Sequence, residues 1–161
     1  MSVENLKKFA LKLGQTQNFI VSATMDIIEA DEFKKSVADH NRSKLRRGMG
    51  FDDTPLGSYA PDSIPIRIAD NLQVAFIDLK RSGDFYDDIR VQSAKTSAST
   101  PAIMIDNTNW KWETDCVGWD ADYSLKDRWP DIFGINDKWL PYFGGKIATP
   151  LAQRISNFWK I

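Results

Sequence analysis

Apolar residues recur at Val3, Leu6, Phe9, Ala10 and Leu13, the spacing of one helical face. Ser2 is placed to cap this helix, Glu4 to favour its first turn, and Gly14 to end it. A second run, Phe19, Ile20, Ala23, Ile27, Ile28, Ala30, Phe33 and Val37, predicts a helix from Thr16 to about Arg47, with a break near Asp31. Its tail, "KKSVADHNRSKLRRG", is polar and basic, which suits a helix C-terminus, and Gly48 is a natural stop.

Residues 48–70 hold three Gly and three Pro and predict a long irregular connection, with a turn over Asp53-Thr54-Pro55-Leu56-Gly57. Leu72 to Leu79 reads as a short strand. Ser82-Gly83 interrupts it. Ser82 or Asp84 then caps a one-turn helix up to Ile89, and the change of direction calls for φ > 0 at Gly83. "IRVQS" and "PAIMIDN" are two strands joined by the small, polar "AKTSAST". The alternation of Trp110 and Trp112 with Lys111 and Glu113 suits a half-buried strand. "SLKDRW" begins with a cap and suggests a short helix. Asn136 or Asp137 opens a last helix, with Pro141 in its first turn and Gly144-Gly145 and Pro150 weakening its middle. The expected fold is α+β: long N-terminal helices, a small, mostly antiparallel sheet with a one-turn corner helix, and a C-terminal helix. All of it falls in a single domain, 1–161, with an extended loop or arm at about 48–70.

Charge adds little to this picture. Twenty-one basic and 22 acidic residues leave a net charge of −1, which argues against a dedicated nucleic-acid binder. A local basic segment, Arg42, Lys44, Arg46 and Arg47, is a candidate for weak contact with DNA phosphates. Its other reading is an exposed helix end. The single cysteine, Cys116, precludes an intrachain disulfide and suits a reducing assembly compartment. The sequence has no apolar run long enough to span a membrane, and its N-terminus does not read as a secretion signal.

Candidate chemistry is thin. Asp84, Asp87 and Asp88 could ligate a divalent cation, but capping and the helix dipole explain acids at that place. "DADYSLKDRWPD" mimics part of a calcium loop, yet it has Leu125 where the turn needs Gly and Asp131 where the loop ends on Glu. "FGGKIATP" fails as a phosphate loop at Leu140 and Ile147. His40, the only histidine, sits on a polar helix tail and reads as solvated. No catalytic residue, cofactor site or metal site is assigned.

Three stretches carry a resemblance: "GFDDTPLGSY" from Gly50, "DLKRSGDFYDDI" from Asp78 and "IFGIND" from Ile132. The chain resembles an uncharacterised group of structural proteins from phages and prophages of Bacteroidetes-type bacteria, which carry a DLK-x-TGDFY motif. More distantly, its layout is similar to that of phage virion-morphogenesis and tail-completion (neck) proteins. The chain departs from the group's motif at Ser82, where the group has Thr, and at Asp88, where it has Ser.

The resemblance implies a non-enzymatic subunit of the head–tail connector, neck or tail. Such a subunit would be assembled in the host cytoplasm and built into the virion as a homo-oligomeric ring beside portal, connector or tail-tube proteins. In that setting Gly83, Asp84, Phe85, Tyr86 and Ile89 form a structural corner. Phe51, Leu56, Tyr59 and Ile64 of the loop would bury on neighbouring subunits, as would Trp139, Tyr142, Phe143, Phe158 and Trp159 of the C-terminal segment. Two other readings stand beside this one. The first is a Mg²⁺-dependent hydrolase or nuclease using Asp84, Asp87, Asp88 and Asp120 or Asp122. The second is a peptide- or glycan-binding module presenting the Trp cluster after position 109.

Overall fold

The structure, a computed structural model, describes residues 3–80, 82–96, 100–109, 112 and 124–160. The architecture is α+β. Two long helices, α1 (Val3–Glu29) and α2 (Asp31–Leu45), lead into a short helix α3 (Ser63–Ala69) and a one-turn helix α4 (Asp84–Asp87). An antiparallel hairpin follows, β1 (Ile89–Lys95) and β2 (Pro101–Asn107), then α5 (Leu125–Arg128) and α6 (Leu140–Trp159).

The register of the hairpin runs from Ile89 opposite Asn107 to Lys95 opposite Pro101. Val91, Ile103 and Ile105 turn inward, while Arg90, Gln92 and Met104 face out, the alternation expected of a sheet with one covered face. Two apolar clusters share Val91 and Ile105. One gathers Ala38, Leu45, Leu56, Ile77, Phe85, Tyr86, Ile89, Trp112 and Ile132. The other gathers Ile28, Phe33, Val37 and Phe143 between α1, α2 and α6.

Several elements differ from the sequence expectation. Helix α1 does not stop at Gly14 but runs unbroken to Glu29. A side chain at Gly14 would meet nothing within 4 Å, so the glycine costs only its backbone freedom, about 1 kcal/mol. The expected break lies at Ala30, whose ψ of 132° is extended. Residues 72–79 form no strand. The supposedly irregular 48–70 contains α3, whose Pro65 sits third in the helix. First-turn N–H groups have no intrahelical acceptor, so proline is tolerated there. Helix α6 continues through Gly144, Gly145 and Pro150. Trp112 is buried in a helical turn, not half-buried in a strand. Trp110 and Cys116 lie outside the described residues.

Candidate functional site

The corner at 78–89 is built from backbone turns and one polar clamp. Gly83 has φ 103°, and Leu79, unusually for a leucine, has φ 55°. The Asp78 carboxylate supports the turn at Leu79 by accepting from the Lys80 amide at 3.0 Å. Asp84 is not the cap of α4. Gly83 occupies that position, and the Asp84 carboxylate instead accepts from the Ser82 hydroxyl at 2.8 Å. Phe85, Tyr86 and Ile89 are 5%, 3% and 2% exposed, which contributes roughly 1.5–3 kcal/mol apiece.

The clamp joins this corner to the preceding loop. Arg67 and Asp78, both buried, pair at 3.0 Å. Arg67 also donates to the Gln73 carbonyl at 2.8 Å and to the Lys80 carbonyl at 2.9 Å, and stacks over the Tyr59 ring at 4.0 Å. Tyr59 donates to Asp78 Oδ1 at 2.7 Å, and Tyr86 donates to the Asp78 carbonyl. Burial, reinforced by the hydrogen bond to Asp78, pushes the Tyr59 phenol up to about 12; burial and the Asp78 charge also raise Tyr86. These side chains, and not strand pairing, hold residues 72–80 in place.

Part of the 48–70 loop packs on its own chain, which corrects several interface candidates, whereas Ile66 and Ile68 of α3 stay 54% and 60% exposed. Leu56 is 9% exposed in the first cluster, and Tyr59 serves the clamp. The Phe51 ring lies against Gly134, where a β-carbon would approach it to 2.8 Å. Phe143 is 3% exposed in the second cluster. Ile64, Trp139, Phe158 and Trp159 are half-buried, and Tyr142 is 52% exposed.

The basic helix end is corrected as well. Lys44 is 1% exposed; its ammonium donates to the Phe51 carbonyl and pairs with Asp53 at 2.8 Å. The Lys44 ammonium, followed by the Asn136 amide, holds the Asp53 carboxyl below its ordinary range. Arg42 donates to the Tyr86 carbonyl at 2.8 Å and pairs with Asp39 at 2.9 Å. Arg46 lies over the Tyr86 ring at 5.6 Å, and Arg47 donates to the Ser43 carbonyl at 3.2 Å. Lys44 thus has no access to a phosphate, and Arg42 is committed to the corner. His40 is not freely solvated either. Its ring packs on Trp139 at 4.7 Å and Phe143 at 5.4 Å, and its Nε2 is buried with no partner among the described residues. Burial lowers its pKa, and Lys44 lowers it further.

Two other surfaces bear on assembly. The first is the N-terminal part of α1. Helix α6 runs antiparallel to α1, with Phe158 stacked on Phe19 at 4.3 Å, Trp159 against Phe9 at 5.6 Å and Arg154 paired with Asp26 at 2.8 Å. Lys12 closes this end by donating to the Phe158 carbonyl at 2.9 Å. Even with Trp159 on Phe9, this end of α1 is thinly covered: Leu6, Phe9 and Leu13 on one face are 53%, 45% and 58% exposed, and Leu11 on the other side is 64% exposed. The second surface is an open groove of about 370 Å³ lined by Ile103, Ile105, Phe133, Gly134, Ile135 and Leu140.

No protein-family model matches the chain, and neither a curated protein nor a solved structure shows significant similarity to it.

Among the described residues, no group of three or more His, Cys, Asp and Glu side chains is arranged to hold a metal ion. Asp120 and Asp122 of the metal-site and calcium-loop readings lie outside the described residues. Ser124 of that loop forms a capping box with Asp127 at the start of α5. Among those residues, too, no helix is long and apolar enough to cross a membrane.

The sequence reading missed Arg67 and Asp78. Asn41 and Lys44 carried a usable signal, because they fall on the same face as Val37 and Leu45, at the spacing of buried positions.

Proposed function

We propose that the chain is a non-enzymatic structural subunit of a phage virion. It would belong to the head–tail connector, neck or tail, and act by assembling with its own copies and with neighbouring virion proteins. The observation that carries this reading is the exposed apolar surface of the N-terminal part of α1, with Leu6, Phe9, Leu11 and Leu13 at 45–64% exposure. Apolar area of this kind, gathered on one stretch of helix, marks a contact surface.

The placement of the three resemblance stretches supports it. Tyr59 of the first and Asp78 and Tyr86 of the second meet in the clamp. Phe133 of the third stacks on Phe85 at 6.1 Å, and Asn136 donates to Asp53 at 2.9 Å. These motif residues bond to and pack on one another, so their placement is accounted for by holding a scaffold.

The test is to disrupt the gene that encodes the chain and to examine particles by sucrose gradient and mass spectrometry. The expected result is a chain present in purified wild-type particles, and separated heads and tails in its absence. Normal infectious particles that lack the chain would overturn the proposal.

A further inference from the structure

The hairpin leaves β2 with an open edge. The Thr96 amide donates to the Thr100 carbonyl at 2.9 Å, and the Thr108 amide to the Asp88 carbonyl at 3.1 Å. These two bonds set the alternation between them. Ala102, Met104 and Asp106 point their backbone groups at β1, and Ile103 and Ile105 point theirs away from it. Among the described residues, no partner meets these outward groups. Both ends of the edge are closed. Pro101 has no N–H, and the Asn107 amide donates to Asp106 Oδ1 at 2.8 Å. The open donors and acceptors of Ile103 and Ile105 therefore stand evenly about Met104. We infer that β2 pairs antiparallel with β2 of a second copy, across a two-fold axis at Met104. This rests on the reading that the chain assembles with its own copies, and it names the surface and the register.

Backbone, side chains and charge agree on that occupant. In this register Ile103 exchanges both its bonds with the second copy's Ile105, and Ile105 with the second copy's Ile103. A slip of two residues sets an open acceptor against Pro101 or against the occupied Asn107 amide. A slip of one residue turns the isoleucines to the wrong face. Met104, 48% exposed on the outer face, meets its own counterpart. On the inner face the isoleucines of the two copies pair over the groove that they line with Phe133, Ile135 and Leu140. No charge guards β2 from Pro101 to Ile105, whereas β1 carries Arg90 and Lys95. The two-stranded sheet becomes four-stranded. The contact is isologous, closes at two copies and leaves the α1 surface free.

An engineered disulfide reads the register. In a Cys116→Ser background, Met104→Cys sets two cysteines directly opposite each other in a non-hydrogen-bonded pair. Their Cα atoms then lie about 4.5 Å apart, within reach of a disulfide. Gln92→Cys, exposed on the same face of β1, lies three strand spacings from its counterpart, about 14 Å. Under mild oxidation the Met104→Cys protein should form a covalent dimer at concentrations where the Gln92→Cys protein stays monomeric. Equal cross-linking of the two overturns the inference.

Sedimentation velocity separates this contact from self-assembly in general. Wild type is expected to self-associate with rising concentration. Met104→Lys sets like charges opposite each other and should weaken association by roughly tenfold; circular dichroism checks that the variant folds. Association unchanged by Met104→Lys overturns the inference while leaving self-assembly standing. A wild type that stays monomeric at every concentration overturns both. Hydrogen exchange reads the edge itself: the Ile103 and Ile105 amides should slow as concentration rises, and amides whose exchange ignores concentration count against the inference.

Discussion

Replacing Arg67 with Met removes the cation from the clamp while keeping most of the side chain's apolar length. Asp78, whose side chain is 7% exposed, is then left as a buried anion. Breaking a buried pair from one side costs about 3–5 kcal/mol. The lower end applies here, because Asp78 keeps the Tyr59 hydroxyl at 2.7 Å and the Lys80 amide at 3.0 Å. The carbonyls of Gln73 and Lys80, which Arg67 abandons, belong to half-buried and exposed residues, so water replaces much of what they lose. Arg67→Met is expected to lower unfolding free energy by about 3 kcal/mol. Adding Asp78→Asn removes the stranded charge, so the double variant should lose less than the sum of the singles by about 1–2 kcal/mol. Urea denaturation of the four proteins measures both quantities. An Arg67→Met variant within about 1 kcal/mol of wild type, or strict additivity, refutes the view that this pair anchors residues 72–80.

Gly83→Ala should cost about 1–2 kcal/mol from its φ of 103° alone, since no atom lies within 4 Å of the added methyl. Asp84→Ala, which removes no backbone cap, should stay within about 0.5 kcal/mol of wild type, and thermal melts of the pair separate the two roles. His40→Phe should be neutral or stabilising, because it replaces a buried, unpartnered nitrogen by carbon. The fold favours neutral His40, so wild-type stability should fall as pH drops through the depressed histidine pKa, and His40→Phe should lose that part of the acid limb. Tyr59 is held protonated by the fold, with its phenol raised from 10.0 to about 12. Its contribution is fully present below about pH 10 and is lost as pH rises through about 12. Tyr59→Phe should flatten that alkaline limb in a melting series, although it also gives up the bond to Asp78.

What was legible in the sequence were patterns local to one element. The spacing of Ile20, Ala23 and Ile27 gives the core face of α1, and two runs rich in β-branched and apolar residues around a small polar link give the hairpin at 89–107. The sharp entry into α4 at Gly83 demands a left-handed residue, which the backbone has, although no strand precedes it. Long-range partnerships were not legible. Residues 72–79 are apolar enough for a strand but have no neighbour to pair with, and Arg67 and Tyr59 hold them instead. Lys44 reads as part of a solvated basic tail until the 48–56 loop folds over it and supplies the Phe51 carbonyl and Asp53. The exposed arm could be read only as amphipathic. How much of it is covered depends on where α6 ends, since Trp159 reaches Phe9 and leaves Leu6, Leu11 and Leu13 more than half exposed.

The most direct test of the structural-subunit account is a cryo-electron microscopy reconstruction of the neck of the virion whose genome encodes this chain. The account predicts density for the fold repeated in a closed ring on the portal axis, with Leu6, Phe9 and Leu13 buried against the neighbouring copy. A virion whose neck, connector and tail densities are all filled by other proteins would contradict it.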